Sequence, residues 1–294
     1  MLEEKKTILI VDDTETNIDI LLELLGDEYD VLVALNGENA LEIVEDDKID
    51  LILLDIMMPE MDGYEVCSIL KSKPDTKDIP IVFITAKTDE DSIEKAYAVG
   101  GIDYVTKPFK PRELLARVKT QIKLKDVMEH LEYMASYDEM TGVYNRRKFF
   151  SLANEKFANK QDNFYAVMID IDKFKNINDS HGHSVGDKVI KSVTKAISEK
   201  IDDDVIFGRI GGEEFALVYL SDSKERVVNE IEEIREDIAK LEVFTDDNSL
   251  VQFTISEGIS KCNTDSRSLD DVLKEADVAL YEAKGSGRNR VIFR

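Results

Sequence analysis

The sequence predicts an α/β protein of two domains joined by one long helix: first a doubly wound parallel sheet, then a second α/β unit. Three observations lead there. Short β-branched apolar runs at 7–11 (TILIV), 51–54 (LILL) and 80–84 (PIVFI) alternate with amphipathic stretches such as 17–25 and 89–98. Strand and helix periods alternating in this way imply a parallel sheet covered by helices on both faces. From Pro111 the pattern turns helical and continues for ~25 residues, past the point where a domain's last helix has its own core to cover. A second family of strand runs follows, FYAVMIDID at 164–172 and FGRIGGEEFALV at 207–218. The 294 residues suit two domains at roughly 150 residues each. The expected boundaries are 1–122 for the first domain, 111–137 for the linking helix continuous with its last helix, and 138–294 for the second.

Composition narrows the function. A formal charge of −24 disfavours a nucleic-acid partner, whose affinity rests on Lys and Arg neutralising phosphates. No apolar run approaches the ~20 residues that span a bilayer, so no membrane insertion is expected. The opening MLEEKK is charged and lacks an apolar leader core, so a soluble, cytoplasmic protein is expected. Cys67 and Cys262 are the only cysteines; they fit a reducing compartment without disulfides or a zinc site. His181 and His183 lie two apart but have no further His or Cys nearby.

In the first half, polar residues collect where strands end. Asp12 and Asp13 follow the first run, Asp55 follows LILL, Thr85 follows PIVFI, and Lys107 precedes Pro108 after a short run ending at Tyr104. In open parallel sheets ligands sit beyond the carboxyl ends of the strands. Three carboxylates crowded there call for a divalent cation, and hard oxygen ligands suit magnesium. Beside it Asp55 could attack phosphorus as a nucleophile. Lys107 would neutralise the phosphoryl oxygens and Thr85 would donate a hydrogen bond to one.

The motifs VDD at 11–13, DIMMP at 55–59, TA at 85–86 and KPF at 107–109 resemble a response-regulator receiver domain over roughly residues 5 to 122. That resemblance implies a five-stranded, flavodoxin-like fold with Asp55 as phosphoacceptor and a histidine kinase as phosphodonor. It also implies that Asp12, Asp13, Asp55 and the Met57 carbonyl hold magnesium, that Thr85, Tyr104 and Lys107 form the switch, and that the Lys107–Pro108 bond is cis.

The linking helix reads in two parts. Leu114, Leu115, Val118 and Ile122 make one apolar stripe; Leu124, Val127, Leu131 and Met134 continue it at spacings of three and four. The second part has no surface of its own domain to cover, so a short parallel coiled coil and a homodimer through the receiver and this helix are expected.

In the second half Asp170 and Asp172 share a face of an extended strand. A hairpin tip is expected to carry Glu213 and Glu214 beside them, like charges made bearable by divalent cations, which suit in-line attack on phosphorus. Gly211 and Gly212 would leave room for a phosphate against the backbone. The motifs DEMTGVYNRR (138–147), DIDKFKNINDSHGHSVGD (170–187), RIGGEEF (209–215), ISEGIS (255–260) and ADVALYEAKGSGRN (276–289) are similar to the GGDEF domain of diguanylate cyclases in its GGEEF form.

The resemblance implies a polymerase-palm-like domain that binds one GTP, two domains meeting to make cyclic dimeric GMP and pyrophosphate. It implies Asp170, the Ile171 carbonyl and Glu213 as magnesium ligands, two ions per GTP site, and Glu214 completing that site or deprotonating the 3′-hydroxyl. Asn178 and Asp187 would read the guanine edge. Lys284 and Arg288, with Lys173, Phe174 and Lys175 at the strand-to-helix turn, would hold the phosphates.

One departure stands out. The family's inhibitory Arg-x-x-Asp is here Asp202 and Val205, so feeble product inhibition is expected. Two other readings of the chain remain: a nucleotide sensor without turnover, and a phosphorylation-dependent interaction module.

Overall fold

The computed structural model describes residues 5–86, 90–159, 163–245, 248–263 and 268–294. The chain divides into two compact units between His130 and Leu131.

The first unit alternates β1 (Thr7–Val11), α1 (Glu15–Leu25), β2 (Asp30–Ala34), α2 (Gly37–Asp46), β3 (Leu51–Asp55), α3 (Gly63–Ser72), β4 (Ile81–Thr85), α4 (Glu90–Ala98), β5 (Asp103–Thr106) and α5 (Pro111–Ser136). All strand pairs are parallel, in the order β2-β1-β3-β4-β5. Strand periodicity sorts the core into two layers. Leu9, Val11, Ile52, Leu54, Ile81 and Phe83 pack against α2, α3 and α4. Their neighbours Ile8, Ile10, Leu51, Leu53, Val82 and Ile84 pack against α1 and the first half of α5. Burial on both faces is why these strands read as continuous apolar runs. The chain steps from β1 outward to β2 and returns to β3, so the switch point lies between β1 and β3. Asp12 and Asp55 both end there.

The second unit contains β6 (Tyr144–Asn145), α6 (Arg146–Asn159), β7 (Phe164–Ile171), α7 (Phe174–His181), α8 (His183–Ser198), β8 (Ile206–Arg209), β9 (Glu214–Leu220), α9 (Lys224–Ile238), the small ribbon β10 (Val243–Phe244) with β11 (Leu250–Val251), β12 (Ile255–Lys261), α10 (Leu269–Gly285) and β13 (Val291–Phe293). Its six-stranded sheet runs β13-β12-β7-β9-β8-β6. The central strand β7 is antiparallel to both β12 and β9. One face of β7, Tyr165 to Ile171 at every second residue, packs on α8 and α9; the other, with Phe164 and Ala166, packs under α6 and α10.

Within α5, Leu114, Val118 and Ile122 are buried, whereas Leu124, Val127, Leu131 and Met134 are exposed. No helix among the described residues is long and apolar enough to cross a membrane.

Candidate functional site

In the first unit three carboxylates and one lysine meet at the switch point. Oxygens of Asp12, Asp13 and Asp55 lie within 4.8 Å of one another. Asp12 and Asp55 are buried and Asp13 is exposed. Lys107 Nζ bridges the two buried acids, 2.8 Å from Asp12 Oδ2 and 2.7 Å from Asp55 Oδ2. Burial pushes the Asp55 carboxyl up and the Asp12 charge adds to this, with Lys107 only partly offsetting them. Burial works against the Lys107 charge as well, yet its two carboxylate partners raise its pKa overall. A buried acid that stays destabilised beside its lysine is a donor set that a hard cation would suit.

Met57 donates its N–H to Asp55 Oδ1 at 3.3 Å. Thr85 ends β4, and it lines a small cavity with Tyr104, Ile56, Ser92, Ile93 and Ala96. The Lys107–Pro108 bond is cis. Sequence reasoning missed Asn17, whose amide donates to both Asp12 oxygens at 2.9 and 3.1 Å. One helical turn into α1, it holds the carboxylate in place.

The second unit builds its acidic site from register. Asp170 of β7 lies directly opposite Glu214 of β9 and Ser256 of β12. Like charges opposite one another across strands are destabilising. Burial raises the Asp170 carboxyl to about 6; Lys284 lowers it, and Glu213 and Glu214 raise it. Lys284, in the last turn of α10, places Nζ 2.7 Å from Asp170 Oδ2. This too is a carboxylate set short of positive charge, which suits a divalent cation. The three acids are less gathered than those of the first unit: among the described residues only Asp12, Asp13 and Asp55 form a trio within 4.8 Å.

The hairpin differs from its expected form. Glu213 lies in the turn, but Glu214 is already the first residue of β9, because Ile210 N–H and Gly211 N–H both turn back onto its carbonyl at 2.9 and 3.3 Å. Gly212 has open space where a Cβ would project. At Gly211 a Cβ would stand 2.6 Å from Glu214 Oε2, so that space serves the chain's own carboxylate. The turn is braced by Arg209, which sequence reasoning passed over. Its Nε and Nη2 donate to the Gly212 carbonyl at 3.1 and 2.7 Å, and its Nη1 to Asp138 Oδ1 at 2.9 Å. Asp138 in turn accepts from Thr141 N–H and its hydroxyl at 3.1 and 2.6 Å.

Asp172 shares the side of Asp170, but its oxygens are taken by the Thr254 and Ser256 hydroxyls at 2.6 and 2.7 Å and by Asn289 N–H at 3.0 Å. It fastens the turn after β7 to β12 and the 287–289 loop. Lys173 caps α7 with φ 54°, and Lys173 and Lys175 are exposed. The Phe174 ring is buried in the core, so only its backbone is offered to a phosphate, at a helix N-terminus whose first N–H groups lack intrahelical partners. Arg288 lies beside this turn with Nε 3.9 Å from Asp172.

Asn178 of α7 is the most telling residue. Its Oδ1 is buried without a hydrogen-bond partner. Buried polar atoms are nearly always satisfied, so an orphan points to a missing ligand. It faces Gly186 at the start of α8, where a Cβ would stand 2.0 Å from Oδ1; Asp187 is the next residue, half-buried. At the inhibitory positions, Asp202 pairs with Arg226 at 2.6 Å and Val205 is part of the core margin.

An acid-lined switch point in a parallel α/β unit is thus followed by a sheet whose central antiparallel strands carry opposed carboxylates. The chain belongs to the GGDEF diguanylate cyclase family: residues 135–290 match the family described as "Diguanylate cyclase, GGDEF domain", and residues 8–119 match the response regulator receiver domain.

It is 30% identical over 297 residues to the response regulator PleD of Caulobacter vibrioides, covering 97% of this chain and 65% of that one. It is 39% identical over 163 residues to the probable diguanylate cyclase DgcT of Escherichia coli, covering 55% of this chain and 36% of that one. Both relatives are therefore spanned over less than two thirds of their length. Among solved structures, the coiled coil and GGDEF domain of DgcB from Caulobacter crescentus in complex with c-di-GMP matches with a TM-score of 0.58 and 28% identity, over 62% of this chain and 98% of that one.

Proposed function

We propose that the protein is a phosphorylation-activated diguanylate cyclase that condenses two GTP into cyclic dimeric GMP and two pyrophosphate. Asn178 carries the nucleotide reading: a buried, unpartnered amide oxygen beside Asp187 accepts hydrogen bonds from the guanine edge and leaves adenine unsatisfied. Lys173, Lys175, Lys284 and Arg288 hold the phosphates, with the Phe174 backbone. Asp170, the Ile171 carbonyl and Glu213 are the groups that would hold magnesium, which supplies charge neutralisation for the attacking and leaving oxygens. Glu214 completes that set or takes the proton of the 3′-hydroxyl. Lys284 then exchanges Asp170 for phosphate, which is consistent with its place at the end of a rigid helix.

In the first domain Asp55 is the phosphoacceptor for a histidine kinase, with Asp12, Asp13 and the Met57 carbonyl as the magnesium set. Lys107 releases one carboxylate to meet the phosphoryl oxygens, and Thr85 and Tyr104 rearrange around them. Because each domain holds one GTP, the product needs two copies. The exposed stripe Leu124, Val127, Leu131 and Met134 supports a homodimer through the receiver and the linking helix, which sets the effective concentration of one GTP site at the other. With Asp202 tied to Arg226 and no arginine at its position, inhibition by product through that surface is weak.

Purified protein incubated with GTP, magnesium and beryllofluoride as a phospho-Asp55 mimic should yield cyclic dimeric GMP by chromatography, and Glu213→Gln should abolish it. If GTP persists in the wild type but binds, the second domain is a nucleotide sensor and the catalytic reading fails.

A further inference from the structure

The apolar attachment of α5 to the first unit ends at Ile122; Leu124, Val127 and Met128 are exposed. One turn further, the attachment resumes by other means. Asp50, buried at the entry to β3, accepts Lys125 Nζ at 2.9 Å on Oδ1 and Thr7 N–H at 3.0 Å on Oδ2. Lys125 Nζ also donates to the Ile49 carbonyl at 3.2 Å and lies 3.6 Å from Glu129. The next residue, Asp126, is 2.7 Å from Lys6 Nζ, and Lys6 itself lies 3.7 Å from Asp50.

Consecutive helical residues point about 100° apart around the axis. Gripping Lys125 from Asp50 and Asp126 from Lys6 therefore fixes the rotation of α5 as well as its position. The two anchors differ in strength. Lys6 and Asp126 are substantially exposed and form the weaker pair, whereas Lys125 and Asp50 are largely covered and each has a backbone partner of its own. Asp50 also sits at one end of β3, and Asp55 closes the other; Leu51 to Leu54 between them are fully buried.

We propose that Asp50, Lys6, Lys125 and Asp126 form a polar clasp that sets the rotational phase with which the linking helix leaves the receiver, and through it carries the receiver's state to the output. The inference rests on the cyclase reading for its output. Its structural half does not.

The test uses the full chain in four forms: wild type, Lys125→Met, Asp126→Lys, and the conservative Lys125→Arg. Two readouts are taken with and without beryllofluoride: cyclic dimeric GMP formation and amide hydrogen exchange of residues 123–130. Lys125→Met and Asp126→Lys should lower the beryllofluoride activation about tenfold, within the usual range of coupling, while basal turnover stays within about twofold. Exchange of 123–130 should speed up in both and stop responding to beryllofluoride. Lys125→Arg, which keeps a cation facing Asp50, should retain both readouts; if it behaves like Lys125→Met, the charge pairing is not what sets the helix. Activation and exchange unchanged in Lys125→Met and Asp126→Lys would overturn the clasp. If no form turns over GTP, the cyclase reading fails alone, and the exchange response still decides the clasp.

Discussion

Asp12, Asp13 and Asp55 reach one another because parallel strands end together at a switch point, whereas Asp170 and Glu214 face one another through antiparallel register, with Glu213 in the adjoining turn. A lysine enters both sets, yet Lys107 bridges two buried acids while Lys284 meets Asp170. The receiver site is thus gathered by its fold. The acidic site of the second unit holds its carboxylates further apart and leaves Asp170 with a carboxyl raised to about 6. A site assembled by strand ends tolerates small shifts along a strand; one assembled by register depends on whatever fixes the hairpin, here Arg209.

The largest break in that comparison should come from Glu213. Glu213→Gln should cost about 10³-fold in turnover, the scale of losing a group that faces transition-state charge, and leave phosphorylation of Asp55 intact, as checked by phosphoprotein gels beside product assays.

The raised Asp170 carboxyl gives a pH signature. A carboxyl that binds its proton more tightly folded than unfolded costs stability at neutral pH, and the cost is relieved as pH falls through about 6 toward the unfolded value of ~3.9. The cost is about 3 kcal/mol at pH 7. In chelator, Asp170→Asn should therefore melt higher than wild type at pH 7.5, and the gap should shrink below pH 6. With magnesium the order should reverse, because only the wild type gains from the cation. A gap that does not change with pH would contradict the assignment.

A smaller effect is expected at the brace. Arg209→Met frees the Gly212 carbonyl and leaves Asp138 without its ion pair; turnover should fall about 10–100-fold, as for other groups that orient metal ligands, with GTP affinity little changed by calorimetry. Equal losses in affinity and turnover would mean that the turn binds substrate directly.

The smallest effect lies in the core. Glu257 of β12 is fully buried with both carboxylate oxygens unpartnered, and burial holds its carboxyl well above the usual range. Glu257→Leu should stabilise the protein by about 1–3 kcal/mol in urea titrations, and Glu257→Gln should change little, since it keeps an unsatisfied polar group.

The receiver site was legible because its residues immediately follow apolar runs, so the strand pattern alone aims Asp12, Asp55 and Thr85 at one edge. The doubled glutamates were visible too, but their division between turn and strand was not: it depends on two N–H groups folding back onto Glu214. Arg209 and Asp138 stand 71 positions apart, and no local period links them. Strand alternation puts Asp172 on the face of Asp170, yet β7 ends one residue earlier and groups distant in sequence claim its oxygens. Glu257, in the mixed strand ISEGISK, is invisible as a misfit until the sheet closes over it.

The proposed function requires the gathered acid site to govern turnover at the other one. Cyclic dimeric GMP formation should be measured in wild type and Asp55→Asn side by side, with magnesium, with and without beryllofluoride. Activation in wild type and none in Asp55→Asn, at similar basal rates, is expected if the receiver exerts that control. Equal rates in all four reactions would contradict it.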